Sequence, residues 1–180
     1  MDGSITQWIN AAAGASRALD HLMVAITTFG VPVLIGCVVL QWWSRHDRPH
    51  VRHAAIVAGL SFLLGLGINQ IVLLFVHRIR PYDAGLTHLI IAPSADWSFP
   101  SDHATAAFAI VAAFALQALP GRAIVFGVMA LAIAWSRVFV GTHYVTDVLG
   151  GAVTGLAAAI LVGALYREGS RLDRLITSIL

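Results

Sequence analysis

Long apolar runs separated by short polar segments dominate the chain. Each run approaches the roughly 20 residues that an α-helix needs to cross a bilayer, and none alternates apolar and polar residues as a transmembrane β-strand does. The pattern therefore predicts an all-α polytopic membrane helix bundle with about five transmembrane helices. Gly151 and Gly155 in the last run predict a close helix contact. The predicted spans are Leu22–Trp43, Ala54–Val76, Ala104–Leu119, Ala123–Val140 and Val148–Tyr166.

Residues 1–20 are apolar on one side only. Ile5, Trp8 and Ile9 recur at helical spacing, whereas Asp2 and other polar residues lie between them. A helix with one apolar and one polar face lies in the plane of the membrane interface. We therefore expect this segment to form an N-terminal interfacial helix.

The composition agrees with a membrane protein and excludes several soluble classes. Of the 180 residues, 58% are hydrophobic and only 11% are charged, against about 25% charged residues in a typical soluble fold. A net charge of only +2, with no stripe of basic residues, excludes a nucleic-acid-binding module. A single cysteine, Cys37, excludes a disulfide scaffold. Because no linker divides the chain, residues 1–180 are expected to form one domain.

The basic residues, all of them arginines, are distributed unevenly between the loops. The segments after the first and third spans, which contain Arg45 and Arg122, and the C-terminal tail carry most of them. Cytoplasmic loops carry such an excess of positive charge, so we expect these segments to face the cytoplasm and the N terminus to face the exterior. The first of these segments also contains His46, His50 and His53, and we interpret it as a solvated loop rather than a metal site.

Three polar clusters fall on the other side of the predicted bundle. They hold arginines, histidines, aspartates and hydroxyl groups, and they cover residues 77–83, 98–103 and 136–147. Ionisable groups beside membrane spans are energetically costly, so they mark a functional site by default. Because the predicted topology places the clusters on one side, we expect a single site at the extracytoplasmic face.

The third cluster contains a pair of residues suited to nucleophilic catalysis. His143 and Asp147 are four positions apart, which places them on the same face of a helix. A carboxylate that accepts one ring N–H of a histidine fixes the tautomer and leaves the other nitrogen free. Such a histidine can act as a nucleophile.

The remaining polar residues are suited to binding an anion. Ser101, Asp102 and His103 open the third span, and backbone N–H groups at the start of a helix favour an anion. Arg80 and Arg137 have planar guanidinium groups that fit a phosphate. With the histidines they indicate phosphoryl transfer, in which arginines stabilise the developing charge. The residues alone also allow a lipid or anion transporter, an inactive membrane protein or a metal-dependent hydrolase.

In these motifs the sequence resembles the type 2 phosphatidic acid phosphatase superfamily of integral membrane phosphatases. That family has a K-x6-R-P motif, a P-S-G-H motif and an S-R-x5-H-x3-D motif, in this order. Here the second motif has Asp102 in place of glycine, and the first is reduced to Arg80 and Pro81. The third is complete, as Ser136, Arg137, His143 and Asp147. The resemblance covers about residues 54–166, which it implies are the catalytic core.

The resemblance implies a role for each matching residue. His143 would form a phosphohistidine, Asp147 would orient it, and His103 would protonate the leaving group. The phosphoryl oxygens would be held by Arg80, Ser101, Arg137 and the backbone at Asp102. The family implies neither a cofactor nor a metal ion.

The first motif departs from the family because its lysine is missing. Leu73 stands seven residues before Arg80, where the family has the lysine. Arg78 is one candidate for the lost phosphate contact. Asn69 is another, because it lies eleven residues before Arg80 and so on roughly the same helical face.

Within the superfamily, the segments at residues 78–83 and 94–104 resemble those of bacterial undecaprenyl-diphosphate phosphatases associated with bacitracin resistance. This resemblance implies hydrolysis of undecaprenyl diphosphate to undecaprenyl phosphate at the outer face of the bacterial cytoplasmic membrane, which recycles the carrier lipid of peptidoglycan synthesis. Phosphatidate, phosphatidylglycerophosphate and lipid A are alternative substrates. The expected partners are the lipid phosphate substrate and membrane lipids.

Overall fold

The computed structural model describes residues 1–179, which are mostly α-helical. No β-strand occurs among these residues, so the predicted all-α class is confirmed. Short helices stand near both ends of the chain, and five apolar helices lie between them. The helices are α1 (Asp2–Asn10), α2 (Arg17–Leu40), α3 (Arg48–Leu73), α4 (Asp102–Leu116), α5 (Pro120–Phe139), α6 (Val145–Leu165) and α7 (Arg171–Thr177), and a 3-10 turn (Gln41–Trp43) follows α2.

Four of the five apolar helices, α2, α3, α5 and α6, are long and apolar enough to cross a membrane. Helix α4 has only 15 residues, which gives a length of about 22 Å against a hydrocarbon core of about 30 Å. The third predicted span is therefore shorter than expected. It ends at Leu116, and Pro120 opens α5, a position that proline favours because it has no N–H to donate.

Helix α4 lies at the centre of the bundle and packs against α3, α5 and α6. Its contact with α6 is close because α6 has glycines there. A Cβ atom on Gly151 would lie 2.5 Å from the carbonyl oxygen of Ser101, and one on Gly155 would lie 2.6 Å from that of Thr105. The close helix contact predicted from the two glycines is confirmed.

The helices run alternately up and down, so the bundle has two distinct ends. At one end of the bundle α3 and α5 finish, and α4 and α6 begin. We call this the site end. Residues 74–101, between α3 and α4, contain no helix or strand and belong to this end. The opposite end carries the turns after α2 and α4 together with α7.

A buried histidine links α7 to the bundle at the opposite end. His53 Nδ1 lies 2.8 Å from Asp173 Oδ1, 120 residues away in the sequence. His50 instead contacts the exposed carboxylate of Glu168. The interpretation of the histidine segment as a solvated loop is therefore wrong for His50 and His53, which lie in α3, and His53 is only 1% exposed. The reason is that its carboxylate partner comes from the distant C-terminal helix.

The N-terminal helix α1 docks on the site end through its polar face. Asp2, Thr6 and Asn10 follow one another at four-residue spacing, and each forms hydrogen bonds with site-end segments. Ile5 and Trp8 are exposed on the other side. The N-terminal helix is shorter than predicted. The three polar residues that bind the site end face the protein rather than water, whereas the other polar side chains of the helix are exposed.

Candidate active site

The three predicted polar clusters converge on one cavity of about 110 Å³ at the site end. The clusters are far apart in the sequence, but the alternating course of α3 to α6 brings them to the same end of the bundle. His103 and His143 therefore border the same small space. The predicted site residues that line it are Arg80, Asp102, His103, Arg137 and His143.

The His143 imidazole has one nitrogen engaged and the other near an arginine. Its Nδ1 donates to the Ser98 carbonyl oxygen at 2.8 Å, and Arg80 Nη1 lies 3.4 Å from Nε2. A donating Nδ1 leaves Nε2 of the neutral ring unprotonated. Burial, opposed by the interaction with Asp147 and reinforced by the charges of Arg137 and Arg80, lowers the pKa of His143 to about 4. The ring is therefore neutral near pH 7 and can act as a nucleophile.

Asp147 is fully buried and collects several donors. Its carboxylate accepts hydrogen bonds from the Ser98 hydroxyl, the Tyr144 backbone N–H and the Arg78 guanidinium. His143 Nδ1 is 3.5 Å from its Oδ2, farther than from the Ser98 carbonyl. That Asp147 orients His143 stays a prediction. The Ser98 carbonyl accepts the ring N–H, and Asp147 acts on the ring as a neighbouring negative charge.

Arg80 is fixed at the cavity wall by backbone carbonyl groups. Its Nη1 donates to the Thr142 carbonyl and its Nε to the Asp96 carbonyl, both at 3.0 Å. Its Nη2 pairs with the Asp96 carboxylate at 2.8 Å. Since the arginine is buried and Asp96 is 55% exposed, the guanidinium is held on the protein side and presented to the cavity.

Three buried polar atoms in and beside the site lack a hydrogen-bond partner among residues 1–179, namely Arg137 Nε, Ser101 Oγ and Asn69 Oδ1. Arg137 is held by Nη1, which donates to the Thr27 hydroxyl at 2.7 Å. Ser101 stands between two residues that line the cavity, Pro100 and Asp102. Buried polar groups without partners are rare in native proteins. Arg137 and Ser101 are predicted to hold phosphoryl oxygens, and their unpaired groups are donors that suit an anion, whereas the amide oxygen of Asn69 is an acceptor.

Neither candidate for the missing lysine contact lines the cavity, whereas Leu73 does. Asn69 Nδ2 donates to Asp102 Oδ1 at 2.7 Å, so it holds the aspartate that replaces the family's glycine. Arg78 points to Asp147 instead. In the structure Arg78 and Asn69 contact protein carboxylates, and an apolar side chain occupies the lysine position. Their contact with phosphate stays a prediction.

Several residues that support the site are absent from the sequence-based prediction. Ser98 is the first residue of the polar cluster at 98–103, so its position in the sequence could have indicated a role at the site. Thr27 is a hydroxyl residue inside an apolar span, which is a weaker signal. Asp2 has none, because the pattern of α1 places it on the side expected to face water.

Similar proteins are known over nearly the whole chain. The sequence profile of the PAP2 superfamily matches residues 54–170. The chain is 34% identical over 179 residues to undecaprenyl-diphosphatase BcrC of Bacillus subtilis (strain 168), covering 97% of this chain and 86% of that protein. It is 36% identical over 165 residues to phosphatidylglycerophosphatase B of the same strain, covering 80% and 73%. A crystal structure of a transmembrane PAP2 type phosphatidylglycerolphosphate phosphatase from Bacillus subtilis matches with a TM-score of 0.66 at 25% identity, covering 93% of this chain and 87% of that chain.

Proposed function

The chain belongs to the PAP2 superfamily, and we propose that this membrane lipid phosphatase hydrolyses undecaprenyl diphosphate to undecaprenyl phosphate and inorganic phosphate. The observation that carries the chemistry is the convergence of a neutral His143, a second histidine and two arginines on one cavity. The choice of substrate is supported by the similarity to undecaprenyl-diphosphatase BcrC, which extends over 97% of this chain.

In the first step, Nε2 of His143 attacks the terminal phosphorus of the diphosphate. The bond between that phosphorus and the bridging oxygen breaks, and its electron pair leaves with the lipid phosphate. His103 borders the same cavity and protonates the departing oxygen as general acid. The products are undecaprenyl phosphate and a phosphohistidine at His143.

In the second step, water hydrolyses the phosphohistidine. His103, now neutral, accepts a proton from the water molecule, whose oxygen attacks phosphorus. The bond between nitrogen and phosphorus breaks, its electron pair returns to Nε2 of His143, and inorganic phosphate leaves. Both histidines are then in their original protonation states.

Arg80, Arg137 and Ser101 supply the groups that stabilise the transferring phosphoryl group. Charge that develops on its oxygens is stabilised by donors already fixed in place. Since Arg137 Nε and Ser101 Oγ are buried without a partner among residues 1–179, they can donate to the phosphate without breaking existing bonds. The two guanidinium groups supply the positive charge, so the proposed reaction uses no cofactor.

We assign the site end to the extracytoplasmic side of the bacterial cytoplasmic membrane. Arginines concentrate at the opposite end, and cytoplasmic segments carry such an excess. The arginines at that end are Arg45, Arg48, Arg52, Arg122, Arg167, Arg171 and Arg174. With this orientation, the enzyme returns the carrier lipid to its monophosphate form on the outer face.

The test is phosphate release by the purified full chain in detergent. Undecaprenyl diphosphate, phosphatidate, phosphatidylglycerophosphate and lipid A are compared by kcat/KM. We expect the highest value for undecaprenyl diphosphate, and a loss of about a thousandfold or more in His143→Ala. Ser4→Ala, at an exposed position of α1, is the control and should match the wild type.

Three outcomes would contradict the proposal in different ways. A higher kcat/KM for another lipid would change the substrate but keep the reaction. Activity that disappears in EDTA and returns with a divalent ion would indicate a metal-dependent hydrolase. Lipid movement across vesicles without phosphate release from any lipid would indicate a transporter.

A further inference from the structure

We propose that Arg78 and Asp2 are positioning residues that hold the Asp147 carboxylate, so that the N-terminal helix α1 is part of the catalytic apparatus. This inference rests on the proposed function, because it concerns how effectively His143 acts as a nucleophile. Neither Arg78 nor Asp2 lines the cavity, so their effect on the reaction must pass through other residues.

Arg78 joins two carboxylates from distant parts of the sequence. Its Nη1 lies 2.6 Å from Asp147 Oδ1, and its Nη2 lies 2.6 Å from Asp2 Oδ2. The guanidinium also packs over the Tyr144 ring, 3.8 Å from the ring centroid. A guanidinium bound through both terminal nitrogens and stacked on an aromatic ring is held in one orientation.

The contact matters because the Asp147 side chain is 0% exposed. A buried carboxylate without a cationic partner is strongly unfavourable, and Arg78 provides that charge. Asp147 Oδ2 lies 3.5 Å from His143 Nδ1. Ser98, which donates to Asp147, also carries the carbonyl that accepts the ring N–H. A displaced Asp147 carboxylate would therefore disturb the imidazole directly, and also indirectly by moving Ser98.

Asp2 is itself fixed by contacts with the start of α6. Its carboxylate accepts hydrogen bonds from both the backbone N–H and the hydroxyl of Thr146. Although burial acts in the opposite direction, the hydrogen bonds from Thr146 and Arg78 lower the pKa of Asp2. Thr6 and Asn10, on the same face of α1, bind backbone groups on either side of the turn that carries His143. Helix α1 is thus attached to the segment that presents the nucleophile.

The first test separates positioning from phosphate binding in the full chain. We expect Arg78→Ala to lower kcat by about tenfold or more, because it removes a charge-assisted hydrogen bond from a buried carboxylate. The KM for lipid and the inhibition constant of inorganic phosphate should stay within about twofold. Arg80→Ala, at the cavity wall, should raise that inhibition constant. Arg78→Lys should restore part of kcat, since lysine keeps the charge but lacks the two-armed guanidinium.

The second test addresses the contribution of α1. We expect Asp2→Asn to lower kcat by about threefold to tenfold. This loss should largely disappear in an Arg78→Ala background, because Asp2 acts through Arg78. Ser4→Ala, on the exposed side of the same helix, should behave as the wild type in both backgrounds. Melting temperatures measured in parallel would show whether each variant is folded.

An Arg78→Ala enzyme with unchanged kcat, or one whose main defect is a higher phosphate inhibition constant, would overturn the positioning role. Equal losses from Asp2→Asn in both backgrounds would overturn the connection through Arg78. If Arg78→Ala does not fold, Arg78→Lys and Asp2→Asn decide the question by the same comparison. A positioning role predicts a lower kcat with an unchanged inhibition constant of inorganic phosphate. A wild-type chain that releases no phosphate from any lipid would instead refute the proposed function.

Discussion

The Nδ1 atom of His143 lies 2.8 Å from the carbonyl oxygen of Ser98, so a backbone group fixes the tautomer of the proposed nucleophile. The hydroxyl of the same serine donates to the carboxylate of Asp147. Ser98 therefore supports the nucleophile and its neighbouring negative charge at once. A side-chain substitution removes only the second contact, which allows the two to be measured separately.

We expect Ser98→Ala to lower kcat by about tenfold, because the Asp147 carboxylate loses one hydrogen bond while the ring keeps its backbone acceptor. The KM for lipid should change little, since Ser98 is not among the residues that line the cavity. Steady-state phosphate release measures both constants. Ser178→Ala, exposed at the opposite end, is the control. A loss as complete as that of His143→Ala would show that the serine hydroxyl, not the carbonyl, orients the ring.

The two histidines of the cavity should give opposite pH dependences. Burial lowers the pKa of His143 to about 4, so the nucleophile remains neutral until the pH falls towards that value. His103 must carry a proton to act as general acid, so rising pH removes its contribution. We therefore expect a bell-shaped dependence of kcat/KM on pH, in which His143 contributes to the acid limb only below about pH 5.

The comparison of the wild type with His103→Asn tests this assignment. The substitution should lower kcat by about 10²- to 10⁴-fold and remove the basic limb, while the acid limb remains. Phosphate groups themselves titrate at about pH 6, but the substrate contributes equally to both measurements with the same lipid. A basic limb that persists in His103→Asn would assign the general acid to another residue.

The helices and the reactive residues are predictable from the sequence because each depends on residues that are close together. Apolar runs of sufficient length identify α2, α3, α5 and α6, and local motifs identify His103 and His143. The length of α4 is less predictable. Apolar residues return after Gln117, at Ala118 and Leu119, while the chain already turns towards the proline that opens α5.

The contacts that orient the reactive residues are not predictable in this way, because they join distant segments. Asp2 and Arg78 are 76 residues apart, and Thr27 and Arg137 are 110 residues apart. The amphipathic pattern of α1 is equally compatible with a polar face turned to water and one turned to protein. Only the partners supplied by the tertiary structure distinguish the two, and they show Asp2 bound to the protein.

The proposed orientation predicts different labelling at two exposed positions. In a Cys37→Ser background, Asp83→Cys places a thiol at the site end and Arg171→Cys places one at the opposite end; both positions are exposed. We expect a membrane-impermeant thiol reagent to label the first in intact cells and the second only after permeabilisation, because arginine-rich segments face the cytoplasm. Cys37→Ser alone should not be labelled. The reverse pattern would move the site to the cytoplasmic face and leave its chemistry unchanged.

The contact between α4 and α6 predicts that two glycine substitutions have different effects on stability. A Cβ atom on Gly155 would lie 2.6 Å from the Thr105 carbonyl oxygen and 2.7 Å from the Ala109 nitrogen, whereas one on Gly59 would have no such neighbour within 4 Å. Overpacking costs about 1–3 kcal/mol, while alanine is more favourable than glycine in a helix by up to about 1 kcal/mol. We therefore expect Gly155→Ala to lower the melting temperature in detergent and Gly59→Ala to keep or raise it.

Gly155→Ala should also affect catalysis, because α4 carries His103 and α6 begins directly after the turn that carries His143. If the added methyl group forces the two helices apart, the general acid moves away from the nucleophile, and kcat falls together with stability. The kcat of Gly155→Ala measured well below its melting temperature separates this effect from unfolding. A variant with normal stability and normal kcat would mean that the close helix contact does not determine how the two histidines meet.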